Sequence, residues 1–223
     1  MYPLEAAIGE TGVRVVYRNN GLEQIKHTDL ASFIRTLGNQ ISLDTGYLDP
    51  CIIRMARCAR NVHIVALDRS QIRTVSFRNT HVFPYRTESY AIPTPTTLFH
   101  LTLAPNQQGT GYTLTNTRLF SLADNLVVND NTPLYIFPFS NVGDDGWVCW
   151  GDSDVHQLTY RLENCASDII ASWWRATFNH DVAHGDYTLR TFQALDGATE
   201  FPVQDLRRHR SVLTAGQIFE RIS

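Results

Sequence analysis

The 223-residue sequence has no surplus of positive charge: 19 Lys and Arg stand against 22 Asp and Glu, for a formal net charge of -3. A surface of that balance carries no broad field to hold a polyanion, so nucleic-acid binding is not indicated. The one basic cluster, RRHR at Arg207 to Arg210, reads as a solvated turn or helix end. No apolar run approaches the roughly 20 residues that cross a bilayer. The opening MYPLEAAIGE lacks a basic region followed by an apolar stretch, so neither a leader nor a membrane segment is expected, and the reading places the protein in the cytoplasm. Cysteine is scarce: Cys51, Cys58, Cys149 and Cys165 match neither a zinc knuckle nor a redox CxxC. In a reducing compartment they are free thiols. Internal repeats and low-complexity tracts are absent as well.

What remains is an ordinary globular balance, 43% hydrophobic and 18% charged, on a chain long enough for a sizeable core. VRVVYRNNGLEQIKHT alternates partly on either side of Asn20-Gly21, the favoured dipeptide of a two-residue turn, and predicts a β-hairpin. Thr28 or Asp29 can then cap a helix through LASFIRTLG, with Leu30, Phe33, Ile34 and Leu37 on one face and Gly38 at its end.

Short apolar runs follow: VHIVAL, RTVSF, TLFHLTL, YTLTNTRLFSL and PLYIFPF, parted by turn material at Pro93 to Thr96, Asn106 to Gly111 and Asn129 to Pro133. Turns this short favour an antiparallel meander over parallel crossovers. Beyond Trp150 the period changes. CASDIIASWWRATF carries Ile169, Ile170, Trp173, Trp174 and Phe178 on a broad helical stripe, and TLRTFQALDG predicts a second helix ended by Gly197. Trp173 and Trp174 point about 100° apart on a helix, so one is expected in the core and the other partly exposed. The order is α+β, with residues 1–58 as an N-terminal hairpin-helix extension and 59–223 as the main domain.

The turn Gly143-Asp144-Asp145-Gly146 precedes Cys149, which sits between Trp147 and Trp150 at the start of a connection. Loops displayed on a scaffold are where chemistry is carried. A thiol attacks as the thiolate, which hydrogen-bond donors or a nearby His favour. The bland reading is an inert buried thiol. Cys165, four residues before Ile169 on the helical stripe, reads as a core thiol in that sense.

The segment PLYIFPFSNVGDDGWVCWG resembles the active-site segment of ubiquitin-conjugating E2 enzymes, where a strand leads into His-Pro-Asn and the catalytic Cys follows that Asn by eight positions. Asn141 and Cys149 keep the spacing, whereas Phe139 and Ser140 stand at the His and Pro positions. More specifically, the chain resembles prokaryotic E2 family D, the group that includes protein B of plasmid-borne PRTRC systems, found in operons with a ubiquitin-like protein, a ThiF-type E1 and a JAB-type peptidase. LASFIRTLG, PTPTTLFHLTL, FNHD and LDGATEFP are supporting matches.

The resemblance implies an E2/UBC-like core and an acyltransferase that accepts the C-terminal carboxyl of a ubiquitin-like protein from an E1 as a thioester on Cys149, then passes it to an acceptor. It implies the E1 and the ubiquitin-like protein as partners and leaves the acceptor open. On this reading Asn141 donates to the oxyanion of each acyl transfer. The alternative for Asn141 is a turn-former satisfying its own loop. His180 of FNHD is the candidate to act in place of the missing triplet His, against the plainer reading of a His bonded to helix-end carbonyls. Asp152 and His156 follow the cysteine and can meet an acceptor amine or simply be solvated.

HDVAH, with His180 and His184 four apart, lacks the Glu of HExxH, and Gly185 argues against one continuous helix, so neither a metal nor a cofactor is expected. Two other readings stay open: an inactive E2-like adaptor that binds the ubiquitin-like protein or the E1, and a free-standing cysteine hydrolase pairing Cys149 with His180.

Overall fold

The computed structural model describes residues 3–9, 12–19, 22–28, 49–58, 60–123, 127–151, 153–182, 184–208 and 213–220. The helix expected over LASFIRTLG, with its end at Gly38, lies outside them, as do Asn20-Gly21 and Asp152. The chain divides into two compact units, 1–45 and 46–223.

The first unit is a three-stranded antiparallel sheet of β1 (Pro3–Gly9), β2 (Gly12–Asn19) and β3 (Leu22–Thr28), in that order. The expected hairpin is β2–β3, in register from Val13↔Thr28 to Asn19↔Leu22, which leaves two residues for the connection. β1 adds a strand that sequence reasoning did not anticipate.

The second unit is α+β. Its larger sheet takes β4 (Ile52–Cys58), β5 (Asn61–Asp68), β8 (Thr96–Pro105), β9 (Tyr112–Leu122) and β10 (Tyr135–Ile136). All neighbours are antiparallel, in the order β10-β9-β8-β5-β4. β4 belongs here through its ladder with β5, so the second unit begins at Gly46, where the sequence reading carried the extension to residue 58.

Two details differ from a simple meander. The hairpin of β6 (Ile72–Asn79) and β7 (Arg86–Pro93) leaves the large sheet, and β5 pairs directly with β8. The hairpin forms a second sheet with β11 (Thr177–Phe178), which runs parallel to β6. Its buried face, Val75, Phe77, Tyr90 and Ile92, thereby gains a second layer to pack against. PLYIFPF pairs with β9 over Tyr135 and Ile136 alone, because Pro133 and Pro138 cannot donate to a ladder.

Helix α1 (Cys165–Arg175) packs on β5 and β6, and α2 (Gly185–Leu195) packs on β7. Gly197 follows α2 with φ +78°, a left-handed conformation that glycine adopts without strain. α1 buries both indoles, contrary to the expectation that one would be partly exposed. Trp173 packs edge-on against Phe137, Trp150 and Phe178. Trp174 is held inside by a hydrogen bond from its ring nitrogen to Asp68 Oδ2 at 2.6 Å, with the Arg73 guanidinium over its face at 5.1 Å. A helix covered on two sides has no half-exposed position there.

β8 is buried on both faces from Thr96 to Leu103. On its far side Val65, Leu98, Phe120 and Leu134 form a second apolar cluster, closed by Leu213, Ala215 and Ile218 of the segment ending in α3 (Ala215–Glu220). Within β8 lies His100, beside His63 at 3.3 Å and cross-strand from Arg118. Burial, then the neighbouring His63 and Arg118 charges, push its pKa down to about 4. An unfolded chain takes up that proton near pH 6.5 and the folded one resists it, so this contribution is complete above pH 6.5 and is lost as pH falls toward 4. The loss is about 3 kcal/mol. Urea unfolding at pH 7 and pH 4.5 is expected to show this decline, and His100→Gln to flatten it; an equally steep decline in the variant would exclude His100 as the cause.

Candidate functional site

The site is built on a tight hairpin. Val142 pairs with Val148, the Cys149 amide donates to the Asn141 carbonyl at 2.8 Å, and the Gly143 amide donates to the Trp147 carbonyl at 2.8 Å. Eight residues of separation therefore place Asn141 and Cys149 across from one another at the hairpin's open end. The acidic turn closes the other end: the Gly146 amide donates to the Gly143 carbonyl at 2.9 Å, and Asp145 Oδ1 accepts from the Trp147 amide at 3.0 Å.

The arm is locked to β9. Trp147 pairs with Arg118, the Val148 amide reaches the Thr117 carbonyl at 3.3 Å, and the Leu119 amide donates to the Gly146 carbonyl at 2.9 Å. Gly146 has φ +83°, and a Cβ there would lie 2.6 Å from the Phe120 ring and 2.9 Å from the Leu119 carbonyl oxygen. The close approach leaves room for glycine alone. A loop pinned along its length holds its terminal cysteine in a fixed place.

Cys149 is half-buried and opens on a cleft of about 530 Å³. Asn141 and Trp150 line it on the hairpin side, and Ser172, Arg175, Thr177 and Asn179 on the side of α1 and β11. Arg78, Asp154 and Asp181 put charge of both signs around the opening. Trp150 is buried, with its ring nitrogen donating to Thr117 Oγ1 at 3.3 Å, while Trp147 is 49% exposed and does not line the cleft. Shielding of the sulfur thus falls to one indole.

Asn141 adopts φ +67°, a left-handed conformation that Asn tolerates better than other branched side chains. Its Nδ2 donates to the Thr177 carbonyl at 3.1 Å, which ties the hairpin to β11. The preceding Ser140 amide donates to Thr188 Oγ1 at 2.6 Å. Phe139, at the position of the triplet His, is fully buried against Phe192, Phe178 and Trp174. Where a hydrogen-bonding ring would steady the loop, aromatic packing fixes it.

His180 is not among the cleft-lining residues, although its neighbours Asn179 and Asp181 are. Its ring is 7% exposed, with Nδ1 3.3 Å from the Thr80 amide and 3.2 Å from the Thr80 hydroxyl. Burial and the adjacent His81 charge depress its pKa, against the pull of Asp186 and Asp181. His184, at the N-terminus of α2, contacts Asp144 at 2.9 Å and Arg207 at 3.0 Å, so it does not share a site with His180. His156 donates from Nδ1 to the Leu114 carbonyl at 2.7 Å.

The other thiols differ sharply. Cys165 is buried, and burial together with the Asp49 charge pushes its pKa up to about 12. Cys51 donates to Asp49 Oδ1 at 3.2 Å, and burial plus that hydrogen bond push it up to about 12 as well. Asp49 Oδ2 accepts from the Ser167 amide at 2.6 Å and so satisfies the N-terminus of α1. Cys58 is exposed at the end of β4.

Sequence reasoning missed Arg78, Ser172, Arg175, Thr177 and Asp181. Each is far from Cys149 along the chain, and the parallel pairing of β11 with β6 (Thr177↔Ser76, Phe178↔Phe77) brings their segments to one wall. No local spacing encodes that.

A hairpin presenting a cysteine at the edge of an antiparallel sheet backed by a helix is the arrangement of an E2-like α+β domain. The sequence profile of prokaryotic E2 family D matches residues 29–207, and the chain belongs to that family. Neither the curated proteins nor the solved structures gave a match. Membership carries an E2-like role in ubiquitin-like conjugation, with a ubiquitin-like protein and an E1-like enzyme as partners in general terms. Among the described residues no helix is long and apolar enough to cross a membrane.

Proposed function

We propose that this protein is an E2-type acyltransferase that carries a ubiquitin-like protein as a thioester on Cys149. The observation that supports this reading is the pairing of Cys149 with Asn141 across the hairpin, both lining one cleft. In the first step the Cys149 thiolate attacks the thioester carbonyl of the charged E1. The tetrahedral oxyanion collapses, the E1 thiolate leaves, and the acyl group rests on Cys149.

In the second step an acceptor nucleophile, its proton given up to solvent, attacks that carbonyl and the Cys149 thiolate leaves. One N–H of the Asn141 amide is engaged by the Thr177 carbonyl, which orients the group; the other serves as the oxyanion donor. Asp154 and Asp181 at the opening suit a cationic acceptor such as a lysine, and Arg78 and Arg175 suit polar carbonyls of an extended chain end. His180 takes a positioning role on this reading: it fixes the Asn179–Asp181 wall through Thr80. The conjugating unit comprises the main domain, with the N-terminal hairpin as an addition, and acts in the cytoplasm beside its E1.

Incubation with a ThiF-type E1, its ubiquitin-like protein and ATP is expected to give an adduct that a thiol reductant cleaves on a gel. Absence of any adduct, with the E1 shown to be charged, would overturn the enzyme and leave an adaptor.

A further inference from the structure

We propose that His81, His180 and Asp186 form a binding site for one transition-metal dication of the zinc class, separate from the Cys149 cleft. The three residues come from different segments: the turn after β6, the loop after β11 and the first turn of α2. Their ligand atoms all lie within 4.8 Å of one another. Two imidazoles and a carboxylate are the donor set that suits zinc, cobalt or nickel, and they leave positions open for water.

The distances favour this over a pair of salt bridges. Asp186 Oδ1 is 3.3 Å from His180 Nε2 and 3.6 Å from His81 Nδ1. Both exceed a good N–H···O hydrogen bond, which ends at about 3.2 Å. Donors bound tetrahedrally at about 2.0–2.2 Å stand about 3.3–3.6 Å apart, which the two His–Asp separations match. Exposed ion pairs of the kind His81 makes with Asp186, 61% and 73% exposed, contribute little to stability.

The buried member is oriented. His180 packs edge-on against Phe77 at 5.0 Å, and its Nδ1 faces the Thr80 hydroxyl at 3.2 Å. The Thr80 amide donates to Nδ1 at 3.3 Å, so the ion-free ring carries its proton on Nε2, toward Asp186. An ion on Nε2 selects the other tautomer, in which the Nδ1 proton is donated to Thr80 Oγ1, the second-sphere arrangement that metal-binding imidazoles use. The His81 ring lies on that of His180 with centroids 3.8 Å apart and planes at 21°. A metal in the plane of both rings requires the stack to open, and the exposed His81 is the ring that turns. The site thus closes around the ion by one rotation and joins the β6 turn to α2.

Binding is tested on the untagged full chain by titration with Zn²⁺ in competition with a chromogenic chelator, and by visible absorption with Co²⁺. One equivalent is expected, with weak d–d bands and no thiolate charge-transfer band. His81→Ala and Asp186→Asn, both at exposed positions, are expected to weaken binding by at least about 10-fold, while His184→Ala and Cys149→Ala leave it unchanged. Equal affinity in His81→Ala and Asp186→Asn, no binding, or a thiolate band would overturn the site. Because Cys149→Ala keeps the metal, this outcome is independent of the acyltransferase reading.

Discussion

Cys149→Ala is expected to lose the reductant-sensitive adduct completely, whereas Cys51→Ala, Cys58→Ala and Cys165→Ala keep it. The prediction rests on access and ionisation together. Acyl transfer needs a thiolate that a bulky protein partner can reach. Cys165 is buried at the start of α1 and Cys51 is tied to Asp49, both with pKa values near 12. At pH 8 such a thiol is ionised in about one molecule in 10,000. Cys58 is accessible but lies at the end of β4, away from the residues that line the cleft. Cys149 alone combines partial exposure with a cleft and a neighbouring amide donor. An adduct that survives in Cys149→Ala and disappears in Cys58→Ala would move the carrier to the other end of the sheet and end the proposed mechanism.

Asn141 carries the second large effect. With its φ of +67°, replacement by alanine adds backbone strain of roughly 1 kcal/mol or more to the loss of the amide. Asn141→Gly relieves the strain and isolates the donor. Single-turnover discharge of preformed thioester is expected to slow by about 100- to 1,000-fold in Asn141→Gly. Thermal unfolding of the same variant reports the lost bond to the Thr177 carbonyl, worth about 1 kcal/mol. A variant that discharges at the wild-type rate yet unfolds earlier would make Asn141 a turn-former that only ties the hairpin to β11.

The two tests also divide the hypotheses. An adaptor forms no thioester, so neither substitution changes an adduct. A free-standing hydrolase needs His180 as the base for Cys149, and His180 is engaged with Thr80 and Asp186 away from the cleft lining. Geometry therefore disfavours the hydrolase more than composition does.

The sequence by itself determined the strands flanking Asn20-Gly21, most of the strands of the large sheet, both long helices and the glycine turn that precedes Cys149. These are readable because each depends on contacts within about ten residues: alternation, a helical stripe, an obligatory glycine turn. The eight-residue interval from Asn141 to Cys149 is of this kind, since a closed turn converts it directly into a cross-strand pair. Only the tertiary structure decided the departure of β6–β7 into its own sheet, the burial of both Trp173 and Trp174, the opposite allegiances of His180 and His184, and the far wall of the cleft. Each of these turns on which surfaces meet after the elements have formed. Ser76 and Thr177 are distant along the chain, and what joins them is the need of the β6–β7 hairpin to cover its apolar face.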